Sequence, residues 1–189
     1  MIIALTGKKG SGKDVVADIL VEKFGFKKYG FGDPIKNVAR EMFGFSEEQL
    51  YGNLKDIVDE KWGIKPRDFF QKFGTEYGQF IFPKHFPEIF SSISERQFWV
   101  KRFKKWYDIE KDCNKLFKGV INDLRFIHEY EYLLKMDAYV IKIERDGVLQ
   151  DNHISENELS NNNSINYNYI IENNCSIEEL EEKIINLIS

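Results

Sequence analysis

The chain has 189 residues, 42% hydrophobic and 31% charged, a profile that excludes a disordered tail or a fibre and suits one compact domain. A chain of this length buries roughly 70% of the surface its unfolded form exposes, enough for a core without metal or disulfide staples. Its 27 Lys plus Arg stand against 31 Asp plus Glu, a net charge of -4. No global positive field therefore exists to hold a long nucleic acid or an anionic membrane, and any phosphate must be gripped locally.

Ile2-Ile3-Ala4-Leu5 is a short apolar run bounded by Thr6-Gly7 and reads as a buried, central parallel strand. It is too short for a signal peptide or a membrane span, so a cytoplasmic location is expected. After a glycine-rich stretch, Val15, Val16, Ile19, Leu20 and Phe24 recur at helical spacing, with Gly25 as the stop. Lys28 to Phe31 is a candidate second strand, and Asp33-Pro34 opens a helix carrying Ile35, Val38, Ala39 and Met42 that ends at Gly44. Ser46 with Gln49 has the spacing of a capping box. From Pro66 to about Phe82, the recurrence of Phe69, Phe70, Phe73 and Tyr77 predicts a helix. Ser94 with Gln97 repeats the capping pattern before a helix holding Phe98, Trp99, Phe103 and Trp106. Gly119 to Asp123 then reads as a strand, Glu129 to Lys135 as a helix and Tyr139 to Ile143 as a strand. Asp146 to Asn168 is polar and asparagine-rich, a long loop. Tyr169-Ile170-Ile171 is a last strand, and Ser176 with Glu179 caps a final helix to Ile188. Cys113 and Cys175 lack disulfide-framework or zinc spacing and read as free thiols. Alternation of strand and helix at both ends implies an α/β fold, a parallel sheet of about five strands flanked by helices, with a helical middle.

Gly7-Lys8-Lys9-Gly10-Ser11-Gly12-Lys13 matches GxxxxGK between a predicted strand and a predicted helix, the context of a phosphate-binding loop. Glycines let backbone N–H groups turn inward, and the following helix adds the positive end of its dipole. Gly7, Gly10, Ser11, Gly12, Lys13, Asp14 and Val15 are thus the candidate cradle for an anionic polyphosphate, with a solvent-facing Lys13 reaching the β- and γ-phosphates. The Ser or Thr that usually follows the lysine to ligate Mg²⁺ is Asp14 here. Its carboxylate can serve the metal directly or through water, or simply favour a helix N-terminus.

Further elements follow in one order: Gly32-Asp33-Pro34-Ile35-Lys36, Phe73-Gly74-Thr75-Glu76, Phe98-Trp99-Val100-Lys101, Asp123-Leu124-Arg125 with His128-Glu129, and His153-Ile154-Ser155-Glu156. Together with the loop ending Gly12-Lys13-Asp14, this order resembles the deoxynucleoside monophosphate kinases of the bacteriophage and large-virus type, over nearly the whole chain. The resemblance implies the P-loop kinase fold, transfer of the γ-phosphate of ATP to a deoxynucleoside 5′-monophosphate, Mg²⁺ as cofactor, and host cytoplasm if the protein is viral. It implies one domain over residues 1–189, with a core at about 1–45 and 117–189, a helical acceptor-binding insertion at about 46–116 and a lid-like loop at about 146–168. A small-molecule partner is implied, without nucleic acid or membrane; a homodimer stays open.

Carried over by position, the resemblance sets Lys9, Ile35, Lys36, Arg67, Gln71, Thr75, Trp99, Arg125 and Glu129 around the monophosphate, and Arg145 toward ATP. Lys13, Arg125 and Lys9 are the candidate catalytic residues, Asp14 and Asp123 the candidate metal ligands. Arg125 follows a strand end, where open parallel sheets place ligands, and its guanidinium can grip phosphate bidentately. The competing reading is an ion pair with Glu129, four residues on. Asp123 suits a magnesium water shell, orientation of Arg125, or helix capping. Trp99 suits packing on a base or the core, and Gln71 suits a base edge or an exposed helix face. Lys101, Arg102, Lys104 and Lys105 read as a solvated face. His153 sits in the lid-like loop, where it touches ATP or fixes the loop. The alternatives are a P-loop kinase for dephospho-coenzyme A or phosphomevalonate, and a non-catalytic nucleotide-binding regulatory module.

Overall fold

The structure, a computed structural model, describes residues 1–91, 95–148, 158–159, 162 and 165–188. Strand β1 (Ile2–Thr6) is buried along its whole length because it has a strand on either side and helices over its faces. Its neighbours are β3 (Gly119–Ile121) and β4 (Tyr139–Glu144), and β2 (Lys27–Tyr29) and β5 (Tyr169–Glu172) form the edges. All pairings are parallel, in the order β2-β3-β1-β4-β5. The second strand begins and ends earlier than the Lys28–Phe31 predicted, since its ladder with β3 runs only from Lys27 to Tyr29.

Alternation along the strands sorts side chains onto two faces. Ile3 is in register with Val120, and Ala4 with Ile121, which is itself in register with Tyr29. Ile3, Leu5, Val120, Ile141 and Ile143 pack with Val16, Ala17 and Leu20 of α1 (Lys13–Phe24) and with Leu180 and Ile184 of the C-terminal helix (Ile177–Ile188). Each such aliphatic side chain contributes about 1.5–3 kcal/mol by burial. On the opposite face Tyr29 packs against Phe103 and Trp106, and Trp106 against Phe117. Helix α1 stops at Gly25, whose left-handed backbone returns its N–H to the carbonyls of Leu20 and Val21. The C-terminal helix is capped as predicted, Ser176 Oγ accepting from the Glu179 N–H and Glu179 accepting from the Ser176 N–H.

Two compact units emerge: Met1–Gly30 with Phe103–Ser189, which holds the sheet, and Phe31–Arg102. The second unit is helical. Helix α2 (Asp33–Phe43) ends at Gly44, and the Ser46–Gln49 capping box opens α3 (Glu47–Leu50), setting Phe45 and Leu50 onto Ala39. The helix expected over Pro66–Phe82 is not regular. An α-helical turn, α4 (Pro66–Gln71), passes into a π-helix over Lys72–Ile81, followed by α5 (Phe82–His85). Gly74 and Gly78 lie in this widened stretch, where glycine weakens the i→i−4 ladder and lets other groups close in. A Cβ on Gly78 would stand 2.6 Å from Trp99 Nε1. Trp99, on α6 (Phe98–Cys113), donates from Nε1 to the Gly74 carbonyl at 2.7 Å. Ser94, the predicted cap before α6, lies outside the described residues, as does most of the predicted 146–168 loop, His153 included.

Candidate active site

In the sheet-bearing unit, β1 delivers the chain into a loop with three left-handed glycines, Gly7, Gly10 and Gly12 at φ 144°, 81° and 100°. L side chains rarely adopt such dihedrals, so the glycine spacing seen in the sequence is a backbone requirement. The Ser11 N–H donates to the Lys8 carbonyl at 3.1 Å, and the Val16 N–H to the Gly12 carbonyl at 3.1 Å, joining the loop to α1. Ser11 is fully buried, and its Oγ has no hydrogen-bond partner among the described residues. Lys13 is not solvent-facing as the sequence suggested. It is half-buried and folds back, Nζ donating to the Gly7 carbonyl at 2.6 Å and to the Lys8 carbonyl at 2.8 Å. Burial, then the charge of Arg125, lowers its pKa to about 8 against the opposing pull of Asp14 and Asp123. The reason is local: an unpaired ammonium beside two loop carbonyls gains more by bonding them than by extending into water.

Those same charges mark the neighbourhood. Asp14, exposed in the first turn of α1, accepts from Asn122 Nδ2 just beyond β3. The segment after Asn122 is pinned beside the loop's root, since the Leu124 N–H donates to the Leu5 carbonyl at 3.1 Å. Asp123 and Arg125 flank that anchor and are each half-buried. Glu129, in α7 (Ile127–Leu134), is 1% exposed and accepts from the backbone N–H groups of Arg125 and Phe126, each at 3.0 Å. Burial dominates its electrostatics and pushes its pKa up to about 8, although both N–H bonds and the Arg125 charge pull the other way. Glu129 thus braces the Arg125 backbone and caps its own helix. Lys9, Val15 and Arg145 are exposed, the last immediately after β4.

The residues present suit an anionic nucleotide and a magnesium ion. A loop of left-handed glycines, a buried serine hydroxyl without a partner among the described residues and a lysine able to exchange carbonyls for phosphate oxygens fit the first. The hard carboxylates Asp14 and Asp123 fit the second.

The other predicted residues belong to the helical unit. Ile35 is 7% exposed, and a Cβ on Gly74 would come within 2.7 Å of its Cδ1. Thr75, the next residue, is 8% exposed. Lys36 Nζ donates to Asp33 Oδ1 at 3.3 Å and lies 4.1 Å from the Tyr51 ring centroid. Arg67 donates through Nε and Nη2 to the two carboxylate oxygens of Asp56. Gln71 is half-buried. Trp99 is 6% exposed, with its one polar atom committed to Gly74, which is the core arrangement of the two considered. The sequence reading passed over Gln79, a fully buried amide whose Oε1 accepts from Arg96 Nε at 3.0 Å. It also passed over Asn122 and over Asn173, whose Nδ2 donates to the Ser11 carbonyl at 2.8 Å. Nothing in a lone asparagine 162 positions from its partner signals such a contact.

A model of the deoxynucleotide monophosphate kinase family matches residues 1–62 and 49–184. A protein of Acanthamoeba polyphaga mimivirus, provisionally described as a deoxynucleotide monophosphate kinase, is 34% identical over 192 residues, covering 100% of this chain and 96% of that protein. Among solved structures, a sugar kinase from Janibacter sp. HTCC2649 gives a TM-score of 0.51 at 11% identity, over 99% of this chain and 93% of its own. TT1252 from Thermus thermophilus gives 0.51 at 16% identity, over 100% and 96%. At those identities the likeness concerns the fold alone. Among the described residues, no helix is long and apolar enough to cross a membrane.

Proposed function

Because the chain belongs to the deoxynucleotide monophosphate kinase family, ATP-dependent phosphotransferases on a P-loop kinase fold, we propose that it phosphorylates a deoxynucleoside 5′-monophosphate to the diphosphate, with ATP as donor. An oxygen of the acceptor phosphate forms a bond to the γ-phosphorus of ATP as the bond to the β,γ-bridging oxygen breaks, and ADP departs with that oxygen. The acceptor is already ionised, so no general base is needed; positioning and electrostatics carry the rate.

The observation that carries this reading is the loop from Gly7 to Lys13, with its three left-handed glycines and a lysine held at its mouth. Lys13 exchanges the Gly7 and Lys8 carbonyls for the β- and γ-phosphates and neutralises charge moving onto the leaving oxygen. Gly10, Ser11, Gly12, Asp14 and Val15 complete the donor cradle, with Arg145 toward the nucleotide. Asp14 and Asp123 would hold a magnesium ion through their hard carboxylate oxygens, and that ion would supply positive charge to offset the donor phosphates. Arg125 grips the acceptor phosphate, its backbone braced by Glu129, and Lys9 adds positive charge. From the helical unit, Lys36 and Arg67 supply cations, Thr75 and Gln71 supply hydrogen bonds, and Ile35 with Trp99 supplies an apolar wall. For Arg67 that role requires exchanging Asp56 for phosphate. A wall without a partner for a 2′-hydroxyl rejects ribonucleotides by roughly a hundredfold.

Initial rates with ATP and Mg²⁺ across matched deoxy- and ribonucleoside monophosphates, with dephospho-coenzyme A and phosphomevalonate alongside, test the reading. Diphosphate formation from a deoxynucleotide is expected. Transfer only to one of the other two acceptors overturns it.

A further inference from the structure

We infer that Asn173 is a positioning residue of the phosphate loop, fixing the peptide between Ser11 and Gly12 so that its N–H faces the polyphosphate; this rests on the donor site proposed above. Asn173 follows β5 directly and is 7% exposed. Its own N–H donates to the Glu144 carbonyl at 2.7 Å, extending the β4–β5 ladder by one bond. The side chain is therefore carried on the sheet itself. From there Nδ2 donates to the Ser11 carbonyl at 2.8 Å, a fully buried bond.

A trans peptide is planar, with its C=O and N–H pointing in opposite directions. Holding the Ser11 carbonyl on the Asn173 side therefore turns the Gly12 N–H to the other side. Without the amide, rotation of that peptide would aim a carbonyl oxygen into the cradle, where it repels phosphate. The approach is close enough to constrain the loop sequence as well. A Cβ on Gly12 would lie 2.2 Å from Asn173 Nδ2, so glycine is required there for contact in addition to its left-handed φ of 100°. Asn174 secures the same corner. Its Oδ1 accepts from the Asp146 N–H at 2.8 Å and its Nδ2 donates to Asp146 Oδ2 at 2.9 Å. Two residues on, the Val148 side chain lies against Gly10, 3.7 Å from where a Cβ would sit.

The test measures binding of ATP and of inorganic tripolyphosphate by calorimetry to the wild type and to Asn173→Ala, Asn173→Asp and Ser176→Ala, with thermal midpoints. Ser176→Ala removes the helix cap three residues away and reports loss of stability without loss of the strut. Asn173→Asp keeps the volume and replaces the donor with an acceptor. Losing the hydrogen bond should weaken both ligands about tenfold in Asn173→Ala and further in Asn173→Asp, whose added negative charge also opposes them. Ser176→Ala should bind as the wild type does while melting lower. In turnover, the KM of ATP should rise in both Asn173 variants, with the KM of the monophosphate moving less than about threefold. Tripolyphosphate affinity within about twofold of wild type in a folded Asn173 variant overturns the inference, as does failure of both to fold, which would make Asn173 a residue of the fold alone. If the wild type itself binds neither ligand, the donor-site reading falls with it.

Discussion

The phosphate loop and the helical unit Phe31–Arg102 are built on opposite plans. The loop presents backbone: three left-handed glycines, a helix start and the folded-back Lys13. The helical unit presents side chains, several of whose polar groups are committed within the unit. Arg67 is held by Asp56, Lys36 by Asp33 and Trp99 Nε1 by Gly74, within an aromatic network running from Phe43 through Phe69 and Phe73 to Phe82 and Phe98. A polyphosphate offers the same geometry whatever its base, so a fixed backbone cradle suits it. In the proposed function an acceptor that must be chosen meets side chains already paired, and binding there competes with existing bonds. The comparison predicts large catalytic losses at the loop and losses shared between stability and acceptor affinity in the helical unit.

The largest effect is expected for Lys13→Ala. Turnover should fall by about a thousandfold, with circular dichroism and melting midpoint nearly unchanged, because the charge acts in the transition state. Wild-type-like turnover would remove the loop from the mechanism. Arg125→Ala should cost about a hundredfold in kcat/KM, chiefly through the KM of the monophosphate, while calorimetric ATP affinity stays put. Weakened ATP binding instead would exchange the donor and acceptor assignments.

Asp14→Ala should raise the Mg²⁺ concentration needed for half-maximal rate by about tenfold if the carboxylate serves the metal. An unchanged Mg²⁺ titration would leave Asp14 to Asn122 and the helix N-terminus. Trp99→Phe removes the indole N–H bond to Gly74 together with part of the buried ring, and should destabilise by about 2–3 kcal/mol in denaturant titrations. A rise in acceptor KM greater than that loss accounts for would move Trp99 from the core to the base.

A pH-dependent effect on stability concerns Glu129. Its folded-state pKa, near 8, exceeds its unfolded value, so the native state binds the extra proton between about pH 4.5 and 8. Its contribution to stability is complete below that window and is lost as pH rises through it. Glu129→Gln, which cannot ionise, should therefore show a flatter stability profile from pH 5 to 8.5 by chemical denaturation. Equal slopes would mean that Glu129 is ionised throughout, stabilised by the Arg125 and Phe126 N–H groups.

Most elements were legible in the sequence because their constraints are local. The apolar run Ile2–Leu5, the stops at Gly25 and Gly44, and the caps Ser46–Gln49 and Ser176–Glu179 each depend on residues within a few positions of one another. The loop was legible for the same reason, since its glycines answer a backbone need where they stand. The π-helix over Lys72–Ile81 was not, because the aromatic spacing that suggested a regular helix is nearly the same at either pitch. What set the pitch apart involves Trp99, 25 residues away from the carbonyl it bonds.

The sequence by itself determined an α/β chain with a parallel sheet, a phosphate loop at the end of its first strand and a helical middle, all written in short-range periodicity and punctuation. Tertiary structure alone decided which polar groups that loop would own. It gave Asp14 to Asn122 and brought Asn173 from the last strand to Ser11. These pairings arise because parallel strands distant in sequence end at the same edge of the sheet, where unsatisfied backbone groups must find partners from whichever chain segment arrives.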